Sequence, residues 1–153
     1  MSHYSPAGAT VNSALRDVLL VEKAAANLPQ SAASAKFTIT GGMILIVQLV
    51  AEVTTIIQAQ ANNMKWISNP TVGADVDLCA VVDINGDAVG TMYNITGTLA
   101  DAMVATTSGA VQAQANMILC AAGTIDLSCS ASSTGQVKAV LHYIPLESGV
   151  TVT

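Results

Sequence analysis

The stretch that decides the fold runs from Met43 to Ile57 and reads MILIVQLVAEVTTII. Its apolar residues occupy both faces of an extended strand, and β-branched residues such as Val53 disfavour a helix. A membrane-spanning helix needs about 20 apolar residues, whereas this stretch is shorter and contains Gln48 and Glu52. It therefore predicts a β-strand that must be covered on both faces, by an opposing sheet on one face and by a second subunit on the other.

Segments on either side of this stretch show the period-2 alternation of half-buried strands. Phe37 and Ile39 share one face of residues 36–40, and Gly41-Gly42 turns the chain. Two later segments, separated by the loop 132–135 and ended by Pro145, each carry their apolar residues on one face: Ile125, Leu127 and Cys129, then Val137, Ala139, Leu141 and Tyr143. Turn signals about every eight to twelve residues indicate an all-β fold, an antiparallel β-sandwich or jelly-roll-like domain.

The segment from Ala74 to Thr96 predicts a β-hairpin. Apolar residues fall on one face of its first half and carboxylates on the other: Val76, Leu78, Ala80, Val82 and Ile84 against Asp75, Asp77 and Asp83. Asn85-Gly86 follows, and this dipeptide supplies the two positive φ angles of a type I′ turn. We expect residues 87–96 to return antiparallel beside the first half.

The 153 residues predict one domain with an N-terminal arm. Residues 1–17 are rich in Ser, Ala and Gly and lack alternation, so they are expected to form an arm that reaches a neighbouring molecule. Residues 18–153 are expected to form the β-sandwich. The segment 13–23 fits either a helix or a strand by spacing, and we favour a strand from Val18 onward. No secretory signal is expected, because no basic region precedes an uninterrupted apolar stretch.

The chain carries few charges for its size. Charged residues make up 10% and hydrophobic residues 52%, whereas roughly 25% of an ordinary soluble domain is charged. A folded monomer of this mass exposes on the order of 7,000 Å², which so few charges would cover thinly. Because a membrane span is not predicted, burial against other subunits of a symmetric assembly is the expected explanation.

The charge pattern also excludes nucleic acid as a partner. The net charge is −5, and the basic residues are dispersed along the chain rather than clustered: Arg16, Lys23, Lys36, Lys65 and Lys138. Nucleic-acid binding requires a basic patch that contacts several phosphates. The expected partners are therefore proteins, including further copies of this chain.

Residues suited to catalysis are few. His3 lies in the arm, and His142 lies on a predicted strand, so a Ser-His-Asp or Cys-His arrangement would have to recruit it from an ordinary sheet face. Asp75 and Asp77 share a strand face and are interpreted as solvated carboxylates or interface acceptors rather than a catalytic pair. No glycine-rich phosphate loop or metalloprotease motif occurs. The sequence predicts no enzyme, no catalytic residues and no cofactor.

Two sets of residues have side chains that can bind metals, and the sequence favours another role for each. Asp83, Asn85 and Asp87 have the spacing that opens a calcium loop, but Ala88 stands where such loops require Gly and Asn94 where they require Glu, so a turn is favoured. The three cysteines, Cys79, Cys120 and Cys129, have no C-x-x-C spacing and are expected to be buried free thiols rather than zinc ligands or a disulfide framework. The N-glycosylation motif Asn94-Ile95-Thr96 is not expected to be used, because no secretion signal accompanies it.

Recurring phrases in the chain resemble small virion proteins of tailed bacteriophages. The resemblance covers roughly residues 21–152 and is carried by five segments: Leu28-Pro29-Gln30, Phe37-Thr38-Ile39-Thr40-Gly41-Gly42, Asn69-Pro70-Thr71-Val72-Gly73-Ala74-Asp75-Val76-Asp77-Leu78-Cys79-Ala80, Thr96-Gly97-Thr98-Leu99-Ala100-Asp101-Ala102 and Gly123-Thr124-Ile125-Asp126-Leu127. It leaves the first twenty residues uncovered.

The resemblance implies a capsid decoration, cement or minor capsid protein. Such a protein is expected to be a homotrimer at local three-fold positions of the phage head, to bind the major capsid protein, and to reach the capsid surface after assembly in the host cytoplasm. A tail or fibre-base component is an alternative, because such components share β-rich trimers. A second alternative is a receptor- or glycan-binding module of the virion that uses an exposed loop near Trp66 or Tyr93.

Overall fold

The structure is a computed structural model that describes residues 18–153. The predicted arm at residues 1–17, with His3, lies outside the described residues. Twelve strands and no helix occur between residues 18 and 153, so this part of the chain has no helix capable of crossing a membrane. The strands are β1 (Leu19–Asn27), β2 (Ala33–Thr40), β3 (Ile44–Thr55), β4 (Asn63–Pro70), β5 (Val76–Asp77), β6 (Val82–Asp83), β7 (Met92–Asn94), β8 (Val104–Thr106), β9 (Ile118–Cys120), β10 (Gly123–Cys129), β11 (Gln136–Pro145) and β12 (Thr151–Val152).

The strands form two antiparallel six-stranded sheets that pack together as a β-sandwich, which confirms the predicted fold class. Sheet A has the order β1-β11-β3-β7-β8, with β9 also paired to β3. Sheet B has the order β12-β2-β10-β4-β5, with β6 also paired to β4. Most connections cross between the sheets, because β1, β3, β9 and β11 of sheet A alternate along the chain with β2, β4, β10 and β12 of sheet B.

The core lies between the sheets and is built by the alternation that the sequence predicts. Every predicted inward residue of β10 and β11 is buried, and so are Phe37 and Ile39 of β2. The rings of Phe37 and Trp66 lie 6.1 Å apart at an angle of 39°. Burying one large apolar side chain is worth about 1.5–3 kcal/mol, so these rows supply the main driving force for folding.

The turn from β2 to β3 depends on a glycine. Gly41 has a φ of +87°, and a Cβ atom there would lie 2.6 Å from the carbonyl oxygen of Gly149. Both the left-handed backbone and the close approach therefore favour glycine. The predicted turn at Gly41-Gly42 is confirmed, and it carries the chain from sheet B to sheet A instead of closing a hairpin. The predicted strand from Val18 onward is also confirmed, since β1 begins at Leu19.

The predicted hairpin across residues 74–96 is wrong. β5 and β6 both pair with β4 in sheet B, whereas β7 pairs with β3 and β8 in sheet A. A turn does occur at Asn85-Gly86, where the amide of Asp87 donates to the carbonyl of Ile84 at 3.3 Å. Gly86 has a φ of +71°, but Asn85 does not adopt a positive φ, so the turn is not type I′. It directs the chain from one sheet to the other.

A matched pair of leucines tests the assignment of the core. Leu49 of β3 is fully buried, whereas Leu99 in the β7–β8 connection is exposed. Leu49→Ala should lower the free energy of unfolding by about 2–5 kcal/mol, because it removes buried methyl groups and leaves a cavity. Leu99→Ala should cost about 1 kcal/mol or less. Denaturant unfolding measures both values, and equal losses would contradict the assignment.

Candidate functional site

The outer face of sheet A is the apolar surface that the sequence of β3 predicts. The inward side chains of β3, including Ile46 and Leu49, are fully buried against sheet B. Leu45, Val47 and Val50 point the opposite way and remain partly exposed. Residues 18–153 therefore cover one face of this strand completely and the other incompletely.

Strand pairing extends this surface across four strands. Residues that are directly opposed in an antiparallel pair lie on the same face, so Ile144, Leu45 and Leu119 form one row across β11, β3 and β9. Val140 and Val50 form a second row, and Leu20 of β1 lies beside His142 in a third. We call these apolar residues the outer A face: Leu20, Leu45, Val47, Val50, Leu119, Val140 and Ile144. Leu119 and Leu20 are its most open members, at 65% and 52% exposure.

Charges border the outer A face at one end. Lys138 of β11 and Glu52 of β3 are directly opposed and form an ion pair of 3.0 Å. Glu22 of β1 lies beside Val140. An exposed ion pair of this kind contributes less than about 1 kcal/mol to stability, so its main consequence is to mark where the apolar surface ends.

A polar corner covers the outer side of sheet A where β3 pairs with β7. We define the polar corner as Gln48, Asn94, Gln112 and Gln114. Gln48 donates to the side chain of Asn94 and accepts from the Gln114 amide at 2.9 Å, and Asn94 donates to the Gln112 carbonyl. Residues 107–117, which connect β8 to β9, thereby fold over β3 and β7. Asn94 is 1% exposed, so its acceptor motif is inaccessible in the folded chain.

The structure does not bring the possible catalytic residues together. His142 lies on the outer side of sheet A, opposite Gln48. Asp77 lies in sheet B, where its carboxylate forms an ion pair with the ammonium group of Lys65 at 2.7 Å. Asp75 is exposed in the preceding connection. Since the sandwich core separates the two sheets, His142 and the aspartates are on opposite sides of the molecule.

Two of the three residues with calcium-loop spacing, Asp83 and Asp87, accept hydrogen bonds from other groups of the fold. Asp83 accepts from the backbone amides of Asn62 and Asn85 at 3.3 and 3.2 Å, and Asp87 accepts from the hydroxyl of Tyr93. Burial and this hydrogen bond raise the pKa of Tyr93 far above its usual range. Within residues 18–153 no cluster of three or more His, Cys, Asp or Glu side chains could hold a metal ion.

The three thiols are buried in the core, as predicted, and none forms a disulfide. Burial raises the pKa of Cys79 to about 11, although a hydrogen bond from the Trp66 amide lowers it in part. Burial likewise raises the pKa of Cys129 to about 11. Cys120 also has a raised pKa because of burial, and its sulfur lies 3.3 Å from the Ser68 hydroxyl. These groups are structural and carry a proton at neutral pH.

The aromatic residues proposed for glycan recognition are not accessible. Trp66 and Tyr93 are both 0% exposed and belong to the core. Stacking against a sugar ring requires an exposed aromatic face, so neither residue can provide the stacking surface for the glycan-binding alternative, and Trp66 serves packing instead. The period-2 position of Trp66 in β4, between Met64 and Ser68 on the inward face, is the signal that indicates packing.

The comparisons do not identify a family. No family model, curated protein or solved structure matches the chain.

The raised pKa values predict that the native thiols are unreactive. At pH 8 a thiol with a pKa of about 11 is thiolate in about one molecule per thousand, whereas an unfolded thiol is substantially ionised. A disulfide reagent such as DTNB should label no thiol in the native protein and all three in guanidinium. Because the unfolded thiols ionise at a lower pH than the native thiols, the free energy of unfolding should fall as the pH rises from about 8.5 to about 11. Stoichiometric labelling of the native protein would contradict this prediction.

Proposed function

We propose that this chain is a structural subunit of a virion, a capsid decoration protein that forms trimers and binds neighbouring capsid subunits on the phage head. The observation that carries the assembly part of the proposal is the outer A face, which the described chain leaves partly uncovered. The resemblance to tailed-phage virion proteins supplies the virion part. Function on this proposal comes from binding energy, so it requires no catalytic residue and no cofactor.

The area of the outer A face supports self-association. Strands lie about 4.8 Å apart and rise about 3.3 Å per residue, so nine residues each of β1, β3 and β11 with the three residues of β9 span roughly 450–500 Å² in projection. This projected area is more than half of the roughly 800 Å² per partner that is typical of stable protein interfaces. Apolar side chains dominate this surface, and the ion pair of Lys138 with Glu52 lies at its border. The polar side chains of His142 and Gln48 lie between the apolar rows, and a mixture of apolar and polar groups with a charged border is common in protein interfaces.

Sister subunits around a three-fold axis would cover the outer A face and leave sheet B available to other proteins. The outward residues of sheet B are mostly polar, such as Thr38, Thr124 and Asn69. These side chains tolerate water and can also donate to and accept from a capsid surface. The two faces therefore suit two partners, with copies of this chain on sheet A and capsid subunits on sheet B.

A pair of matched charge substitutions tests self-association. Leu119 is 65% exposed on the outer A face, and Val72 is 88% exposed in the β4–β5 connection of sheet B. Light scattering of the unaltered protein should give a multiple of three times the chain mass of 15.5 kDa. Leu119→Glu should abolish the trimer but leave the chain folded, because it buries an unpaired charge in the contact and not in the core. Val72→Glu should remain a trimer. A trimeric Leu119→Glu protein would exclude this face as the contact.

A labelling experiment tests the virion location. An epitope inserted after Val72, in the exposed β4–β5 connection, should not disturb either sheet. Virus particles purified on a density gradient from cells producing the tagged chain should bind antibody-conjugated gold on their heads. Gold confined to tails would favour the tail or fibre-base alternative. Particles that carry no label, although the cells contain the tagged chain, would overturn the virion role.

A further inference from the structure

The longest strand at an end of either sheet is β1. Sheet A ends at β1 and β8, and sheet B ends at β12 and at β5 with β6. β8 has three residues and β5, β6 and β12 have two each, whereas β1 has nine. Within residues 18–153, β1 pairs only with β11, so the backbone groups along its other side have no strand partner there. A long unpaired edge is a template for another strand.

The first half of β1 lacks the usual protection of an edge. Proteins block such edges with proline, with several charged side chains or with bulges. β1 contains no proline, and Glu22 and Lys23 are its only charges. Its register with β11 is regular from Leu19 to Lys23 and shifts only beyond Lys23, at a bulge before Ala26. Leu19 and Leu20, on opposite sides of the strand, are 45% and 52% exposed.

We propose that β1 pairs antiparallel with β1 of a second copy of this chain, centred on Val21, so that sheet A continues through two molecules. A two-fold axis perpendicular to a sheet relates identical strands, and each residue then faces a residue on the same side of the sheet. Such a register must be centred on a residue, which limits the choices along β1. This contact goes beyond the proposed function, because it rests on the edge alone and requires neither a virion nor the outer A face.

The charges of β1 and the number of residues that can pair favour a register centred on Val21. A register centred on Glu22 opposes two carboxylates, and one centred on Lys23 opposes two ammonium groups, which is destabilising. A register centred on Leu20 uses only the first three residues of β1. The register centred on Val21 uses all five residues before the bulge, Leu19 to Lys23. It places Lys23 opposite Leu19 and Glu22 opposite Leu20, so no like charges meet.

Disulfide crosslinking tests this register directly. In the proposed pair the two Val21 Cα atoms lie about 4.5–5.5 Å apart, a separation that a disulfide spans. Val21→Cys should therefore form a covalent dimer under mild oxidation. Lys23→Cys should not, because its two copies are offset by four residues, about 13 Å along the strand. The native thiols are buried, so they do not compete. Faster crosslinking by Lys23→Cys, or none by Val21→Cys, would overturn the proposal.

A charge pair gives a second and independent test. Leu19 is opposite Lys23 of the other copy only in the proposed register. Leu19→Glu should therefore form two attractive pairs per dimer, and Leu19→Lys two repulsive ones. In the Leu119→Glu background, sedimentation should give a dimer dissociation constant at least about fivefold smaller for Leu19→Glu than for Leu19→Lys, and the difference should shrink in high salt. Equal constants at low salt would overturn the register.

Combining variants separates this contact from the proposed function. Val21→Cys in the Leu119→Glu background should still crosslink to a dimer, because Leu119 lies on β9, on the far side of β3 from β1. Crosslinking in that background with no trimer in the unaltered protein would leave the edge contact standing and overturn the proposed trimer. A trimer in the unaltered protein without crosslinking would overturn the edge contact alone.

Discussion

The structure depends on a central strand that is apolar on both faces. β3 is hydrogen-bonded on both sides, to β11 along most of its length and to β7 and β9 on its other side. Its backbone is therefore satisfied within the sheet, and only its side chains remain for further contact. The inner side chains pack against sheet B. The outer side chains can be shielded from water only by groups that pack against the outer side of sheet A.

Hydrogen-bonded polar residues cover part of the outer side of sheet A. Gln48 stands next to Val47, the residue that the register shift between β3 and β11 leaves without a direct partner, and its amide bonds to Asn94 and Gln114. The docking of residues 107–117 also depends on Gly97, whose φ is +89° and whose Cβ would lie 1.9 Å from the Asn116 carbonyl oxygen. Within the outer A face, apolar exposure is greatest at Leu20 of β1 and Leu119 of β9.

Alternation in the sequence predicts which residues face the core, because a side-chain period of two is a property of each strand alone. The strands of residues 36–40, 124–129 and 136–144 are confirmed for this reason. Alternation contains no information on which strand lies next to which. Residues 82–83 and 92–94 therefore appeared to form a hairpin around Asn85-Gly86, although they belong to different sheets. The polar corner was also not predicted, because its hydrogen bonds join residues up to 66 positions apart. The apolar outer surface of β3 was predictable, since a strand with two apolar faces has only one core to face.

The scarcity of charge follows from the difference between the two outer surfaces. The outer side of sheet B carries Thr38, Thr124 and Asn69 in one row and the ion pair of Lys65 with Asp77 beside it, so water solvates it with few ionised groups. The outer side of sheet A has one ion pair at its border, polar side chains at His142, Gln48 and Asn94, and apolar side chains over most of the rest. A chain exposed to water on both sides would need charges on both. Because hydrophobic burial is non-directional and backbone pairing is directional, packing on the outer A face would supply most of the energy of the proposed association, whereas pairing at the β1 edge would fix the relative orientation of two copies.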